Sequence, residues 1–141
     1  MMVYVDTSVL VALLTNEATA KRIMKWLAEE SRPLVSGDWC VTEFASALAL
    51  KQRTSQIDQR QRNAVWREFN EFCDGTIRLV PLGREVFSDA ATLVHKSKNG
   101  LRAGDALHLA LAVRLQVAAF FTLDARLAES AKHNKLSIVH V

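Results

Sequence analysis

MMVYVDTSVLVALL, residues 1–14, is the stretch that decides the fold. Met2 to Val5 is an apolar run of strand length, Ser8 to Leu14 is an apolar run of helical character, and the switch between them falls on Asp6-Thr7. A buried strand that passes straight into a helix, with no hairpin turn between, opens a parallel α/β unit. The acid at the corner is out of place. A carboxylate that closes an apolar run loses hydration unless it is hydrogen-bonded, protonated or paired with a cation.

Three further acids repeat the anomaly. Asp124 closes the apolar run from Val117 to Leu123, while Glu43 opens the run from Phe44 to Leu50 and Asp105 that from Ala106 to Val113. In open parallel sheets, ligands bind beyond the carboxyl ends of the strands, where the strand order reverses. If the strands ending at Asp6 and Asp124 are neighbours there, the two carboxylates share a crevice. Helix N-termini favour anions, so Glu43 and Asp105 can enter it from helices that open at the same edge. Hard divalent cations select such oxygen ligands, and a pair of them activates water and stabilises the leaving oxygen in displacement at phosphorus. Singly, each acid also has an ordinary reading as a helix cap or a first-turn dipole partner.

Outward from this corner, strands and helices alternate. Asn16 is placed to cap a helix from Glu17 to Glu30, and Leu34 to Ser36 is a second strand. Helices over Val41–Arg53 and Asp58–Phe72 form a hairpin with a basic polar face, carrying Lys51, Arg53, Arg60, Arg62 and Arg67. Its apolar stripe of Val65, Trp66, Phe69 and Phe72 is assigned to the core or to another protein. A third strand over Ile77–Val80 leads to a helix over Arg84–His95, and Ala103–Leu115 is a helix apolar nearly all round. A fourth strand (Ala118–Phe121), a helix (Ala125–His133) and a fifth strand (Ser137–Val139) complete the pattern. The 141 residues are expected to form one domain around a mostly parallel sheet covered on both faces.

Half of the chain is apolar, which excludes disorder. No stretch has the length and purity of a membrane span, and the start lacks a basic leader, so a cytoplasmic protein without membrane attachment is expected. Cys40 and Cys73 stand far apart and are read as thiols in a reducing compartment. Setting four site acids aside from the 15 leaves 11 against 18 Lys and Arg, a basic body around an acidic pit. That suits a polyanionic substrate, although a basic pI alone is common among proteins that bind no nucleic acid.

Val-Tyr-Val-Asp-Thr-Ser (3–8), Thr-Glu-Phe (42–44), Gly-Asp-Ala-Leu-His-Leu-Ala (104–110) and Phe-Phe-Thr-Leu-Asp (120–124) together resemble the PIN-domain ribonucleases over essentially the whole chain. In length the chain is most similar to the VapC toxins of type II toxin–antitoxin modules. The resemblance implies a three-layer α/β/α sandwich with a five-stranded parallel sheet of order 3-2-1-4-5. It implies Mg2+ or Mn2+ held by Asp6, Glu43, Asp105 and Asp124, with endonucleolytic cleavage of RNA. Thr7 and Ser8 match the residues after the first aspartate, and Thr122 the hydroxyl that orients it. A cognate VapB-like antitoxin and a homodimer are the implied protein partners.

Arg102 and Arg126 flank the acids and suit either RNA phosphate or neutralisation of the carboxylates. His108, one turn after Asp105, is read as a hydrogen-bonded core residue ahead of a catalytic or ligating one. His95, His133 and His140 are assigned to the surface, and Trp26, Trp39 and Trp66 to packing. Aspartyl-phosphate phosphatases also carry an Asp after their first strand, but they need a second acid two residues on, where this chain has Ser8. A phosphoacceptor signalling domain needs an acidic pair after the first strand, which Asp6-Thr7 does not supply. A housekeeping nuclease of the same fold, or a non-catalytic binding module, is the alternative; the latter is disfavoured by the complete set of acids.

Overall fold

Three residues, Val3–Val5, form the strand on which the sheet is built. In the computed structural model, which describes residues 1–141, this strand, β1, is followed by α1 (Thr7–Leu14), α2 (Ala20–Glu29) and β2 (Leu34–Gly37). Then come α3 (Trp39–Arg53), α4 (Gln59–Gly75), β3 (Ile77–Val80), α5 (Arg84–Lys96), α6 (Ala103–Arg114), β4 (Ala119–Phe121) and α7 (Ala125–His133). β1 lies between β2 and β4, and the parallel sheet has the order β3-β2-β1-β4. Val3 pairs with Leu34 on one side and with Ala119 on the other.

Because side chains alternate across a strand, one short segment serves two cores. Tyr4, Val35 and Phe120 join α5, α6 and α7 on one face. Val3, Val5, Ala119 and Phe121 join α1 to α4 on the other. α6 is buried continuously from Ala106 to Ala112, as its all-round apolar sequence requires. The aromatic stripe of α4 also goes inward: Phe69 stacks on Phe44 at 4.1 Å between ring centroids and on Trp66 at 5.4 Å.

The sheet has four strands, not the five expected. At Ser137–Val139 the chain reaches β4 through a single parallel bridge, Phe120 with Ile138, supported by two backbone hydrogen bonds. One residue pair is a bridge and not a ladder, so this segment does not count as a strand of the sheet. The helix expected over Glu17–Glu30 begins later, at Ala20. Asn16 does not cap it, because its backbone is left-handed (φ 55°), a conformation asparagine tolerates better than most residues. The other boundaries differ by a few residues at most. Asp58 sits immediately before α4 and closes a reciprocal capping box with Gln61.

Phe69 is wholly buried where α3 and α4 meet, so Phe69→Ala is expected to cost about 3–5 kcal/mol. Urea denaturation checks this: the midpoint falls while the slope stays that of the parent.

Candidate functional site

The end of β1 and the turn after β4 are pinned to one another by side chains. Asp6 is 3% exposed and caps α1, its Oδ1 accepting from the Ser8 amide at 3.0 Å and the Ser8 hydroxyl at 2.5 Å. Its Oδ2 accepts from the Thr122 hydroxyl at 2.7 Å. Thr122 in turn accepts from the Asp124 amide at 3.0 Å, and Ser8 Oγ accepts from the Leu123 amide at 3.0 Å. Asp124 uses its own Oδ1 to cap α7 through the amides of Arg126 and Leu127.

Glu43 reaches the same edge from the second turn of α3, which begins earlier than expected, and Asp105 from the first turn of α6. Glu43 Oε1 accepts from the Thr7 hydroxyl at 2.7 Å and is bonded to Nε2 of His108. Its Oε2 has no hydrogen-bond donor. Gly104 leaves room for that oxygen: a Cβ there would lie 2.9 Å from Oε2 and 3.1 Å from Nε1 of Trp39, a buried indole nitrogen without a partner. Arg102 spans Asp105 at 3.5 Å and Asp124 at 3.2 Å. Its side chain is 73% exposed, and pairs of that kind are worth about 0–1 kcal/mol, so this cation is readily displaced.

The PIN domain family model matches residues 3–133. The chain belongs to the PIN domain family. Among solved structures it is similar to VapC20 of Mycobacterium tuberculosis, described as a Sarcin-Ricin loop cleaving toxin: TM-score 0.73, 15% identity, covering 91% of this chain and 94% of that one. FitAcB of Neisseria gonorrhoeae aligns with TM-score 0.68 and 18% identity over 99% of this chain and 97% of that one. VapBC2 of Rickettsia felis, solved with a fragment of promoter DNA, aligns with TM-score 0.69 and 10% identity, over 99% and 98%. At these identities the likeness is one of fold. No curated protein sequence matches.

Within this PIN fold, mutual repulsion and burial set the charge state of the acids. Burial pushes the Asp6 carboxyl above its ordinary range, and Asp105 adds to the rise, against the opposing effects of His108, Ser8 and Thr122. Asp105 is raised by burial, then by Asp124, with Arg102 opposing and Glu43 adding a further push. Glu43 behaves otherwise: burial acts to raise it, but the hydrogen bond and charge of His108, together with Thr7, hold it below the usual carboxylate range. Hard oxygen donors under mutual repulsion are what a divalent cation relieves, so the donor chemistry fits Mg2+ or Mn2+. The spacing does not yet close on an ion, since no three acidic, His or Cys side chains stand as a ready coordination group.

The four acids singled out from the sequence therefore meet at one edge, where Ser8 and Thr122 both contact Asp6. Thr7 supports Glu43. Arg102 touches two of the acids, whereas Arg126 contributes its backbone amide and its guanidinium forms no ion pair with them. Sequence reasoning missed Gly104 and Trp39 as neighbours of the Glu43 carboxylate. The glycine beside Asp105 at the opening of an apolar helix was the available signal.

A carboxyl raised on folding destabilises the fold once ionised. This effect is absent well below the unfolded value, about 4, and grows as the pH climbs through the raised folded value. Asp6→Asn should therefore raise the melting temperature of chelator-treated protein near neutral pH, with the gain over the parent shrinking as the pH is lowered. Thermal melts in EDTA across a pH series measure this. Gly104→Ala removes a flexible residue from a helix, which favours the helix by about 1 kcal/mol, yet its methyl displaces Glu43 Oε2. An unchanged or higher melting temperature, with Mn2+ binding about tenfold weaker by calorimetry, is the expected pair of results.

Proposed function

We propose that this PIN-domain chain is a Mg2+- or Mn2+-dependent endoribonuclease and the toxin half of a toxin–antitoxin pair, acting in the cytoplasm. The observation that carries this reading is the convergence of Asp6, Glu43, Asp105 and Asp124 from four separate elements, with Arg102 as their displaceable counter-charge. These four side chains would hold the ion. When bound, the metal would supply an activated water and stabilisation of the leaving oxygen at phosphorus.

The chain's own residues have defined work in that scheme. Ser8 and Thr122 keep Asp6 oriented at the end of the central strand, and the α7 amides keep Asp124 turned with Oδ2 outward. Arg102, once released from Asp105 and Asp124, is placed to hold an RNA phosphate, and Arg126 lies on the same rim. An excess of cationic over anionic side chains, 18 to 15, favours approach of the polyanion. No helix is long and apolar enough to cross a membrane.

The toxin reading is supported by neighbours solved as assemblies, FitAB bound to DNA and VapBC-1 of nontypeable Haemophilus influenzae among them. A VapB-like antitoxin and a second copy of the chain are the partners this predicts. Purified protein should cleave RNA with Mg2+ or Mn2+ and stop on addition of EDTA, and Asp6→Asn or Asp105→Asn should lower the rate by about 100-fold or more. Cleavage that persists without metal, or a fully active Asp6→Asn protein, sinks the assignment. Expression alone should arrest growth and co-expression of a neighbouring small protein should restore it; intact cleavage without arrest points to a housekeeping nuclease instead.

A further inference from the structure

His108 has 1% of its side chain exposed, yet both ring nitrogens are bonded to polar partners. Nδ1 lies 2.7 Å from the Tyr4 hydroxyl, whose oxygen also accepts from the Gly37 amide at 3.2 Å. Nε2 faces Oε1 of Glu43 and lies 3.1 Å from the Thr7 hydroxyl, which itself donates to the same Oε1. The Tyr4 ring packs edge-on to the imidazole, 5.7 Å between centroids at 72°, and is stacked on Phe120. Three strands of the sheet thus fix the ring: Tyr4 from β1, Gly37 from β2 and Phe120 from β4.

The proton account gives this chain a direction. An ionised carboxylate only accepts, so the hydrogen between His108 and Glu43 sits on Nε2 whether the ring is neutral or cationic. No lone pair of His108 is then left to face the acids, since Nδ1 points to Tyr4. The imidazole is not placed as a metal ligand. What it does hold is one oxygen of a long side chain that otherwise has Thr7 on the same oxygen and the Trp39 indole N–H nearby to restrain it. Both hydrogen bonds to Glu43 fall on Oε1, and Oε2 is left without a donor beside Gly104.

We infer that His108 is a positioning residue that locks Oε1 of Glu43 to the sheet through Tyr4 and Gly37, leaving Oε2 free to coordinate a divalent cation. This rests on the reading of the four acids as a cation site. Partners that orient a ligand in this way are typically worth about 10–100-fold in metal affinity. Histidine suits the task because its two nitrogens join a hydroxyl and a carboxylate on opposite sides of one rigid ring. Glutamine can present an amide N–H near the position of Nε2, whereas leucine fills the volume with no donor.

The test is calorimetric titration of the full chain with Mn2+, comparing the parent with His108→Leu, His108→Gln and Tyr4→Phe. His108→Leu should bind about 10–100-fold more weakly, His108→Gln should recover most of that loss, and Tyr4→Phe should fall between the parent and His108→Leu. Parent-like affinity in a folded His108→Leu protein overturns the inference, and so does equal weakening by Leu and Gln, which would mark the ring as packing only. Should His108→Leu not fold, Tyr4→Phe decides, because it keeps the ring and removes only its anchor; unchanged Mn2+ affinity there overturns the proposal. If the parent itself binds no Mn2+, the cation-site reading fails and takes this inference with it, a result distinct from the others.

Discussion

The burial of one carboxylate, Asp6, at the end of the central strand constrains everything around it. A carboxyl 3% exposed is tolerated there because its oxygens are occupied, one by Ser8 and the other by Thr122. Those donors come from the starts of two different crossovers. Satisfying Asp6 therefore fixes the exit of β1 relative to the exit of β4, and with them the approach of α1 and α7. The same requirement makes Thr122 accept the Asp124 amide, so the second strand-end acid is placed by the bonds that stabilise the first.

The remaining acids are tethered with less redundancy, and the inequality is informative. Asp124 spends Oδ1 on the α7 cap and presents Oδ2 to an exposed arginine. Glu43 spends Oε1 on Thr7 and His108. Asp105 has only Arg102, through Oδ2. Anchored oxygens thus face the protein, and the uncommitted ones face Arg102 or the space beside Gly104. Asp105 is raised by burial and by like charges on two sides and has a single weak partner, so once ionised it works against the fold. A cation shared by the four acids, as proposed, would relieve that repulsion.

Much of this was legible in the sequence because it depends on period and on punctuation. The strand-to-helix switch at Asp6 and the continuous apolar run of α6 are local patterns, and the structure places each where the pattern indicates. The convergence of the acids followed from topology, given a sheet whose order reverses beside β1. What could not be read was set by contacts distant in sequence. Tyr4 and His108 are 104 positions apart, and only the packed sheet shows that an apparently ordinary core tyrosine bonds to the histidine. The fifth strand failed for the opposite reason: its residues have strand character, but they pair with β4 through one bridge rather than a ladder. Asn16 was misread because the residue types that cap helices are also those that tolerate left-handed backbone.

The distribution of polar groups across the sheet gives the site its rigidity. Through the core on the α5–α6 face runs a connected polar line, Gly37 to Tyr4 to His108, that emerges at Glu43. A buried polar network is costly if any member is left unpaired, so each bond in the line enforces the next. Deeper in the fold, β1 and β2 set the ring; the ring sets one carboxylate oxygen; the carboxylate faces the acids from across the crevice. Asp6 reaches the same point by the shortest route, through its own strand. The two acids tied most firmly to the sheet, Asp6 and Glu43, therefore form one wall, while Asp105 and Asp124 share the exposed Arg102 on the solvent side. Charge can be exchanged on that outer side without disturbing the inner one. For a site proposed to admit a cation and a polyanion, that division separates geometry, which the sheet holds constant, from electrostatics, which Arg102 leaves free to change.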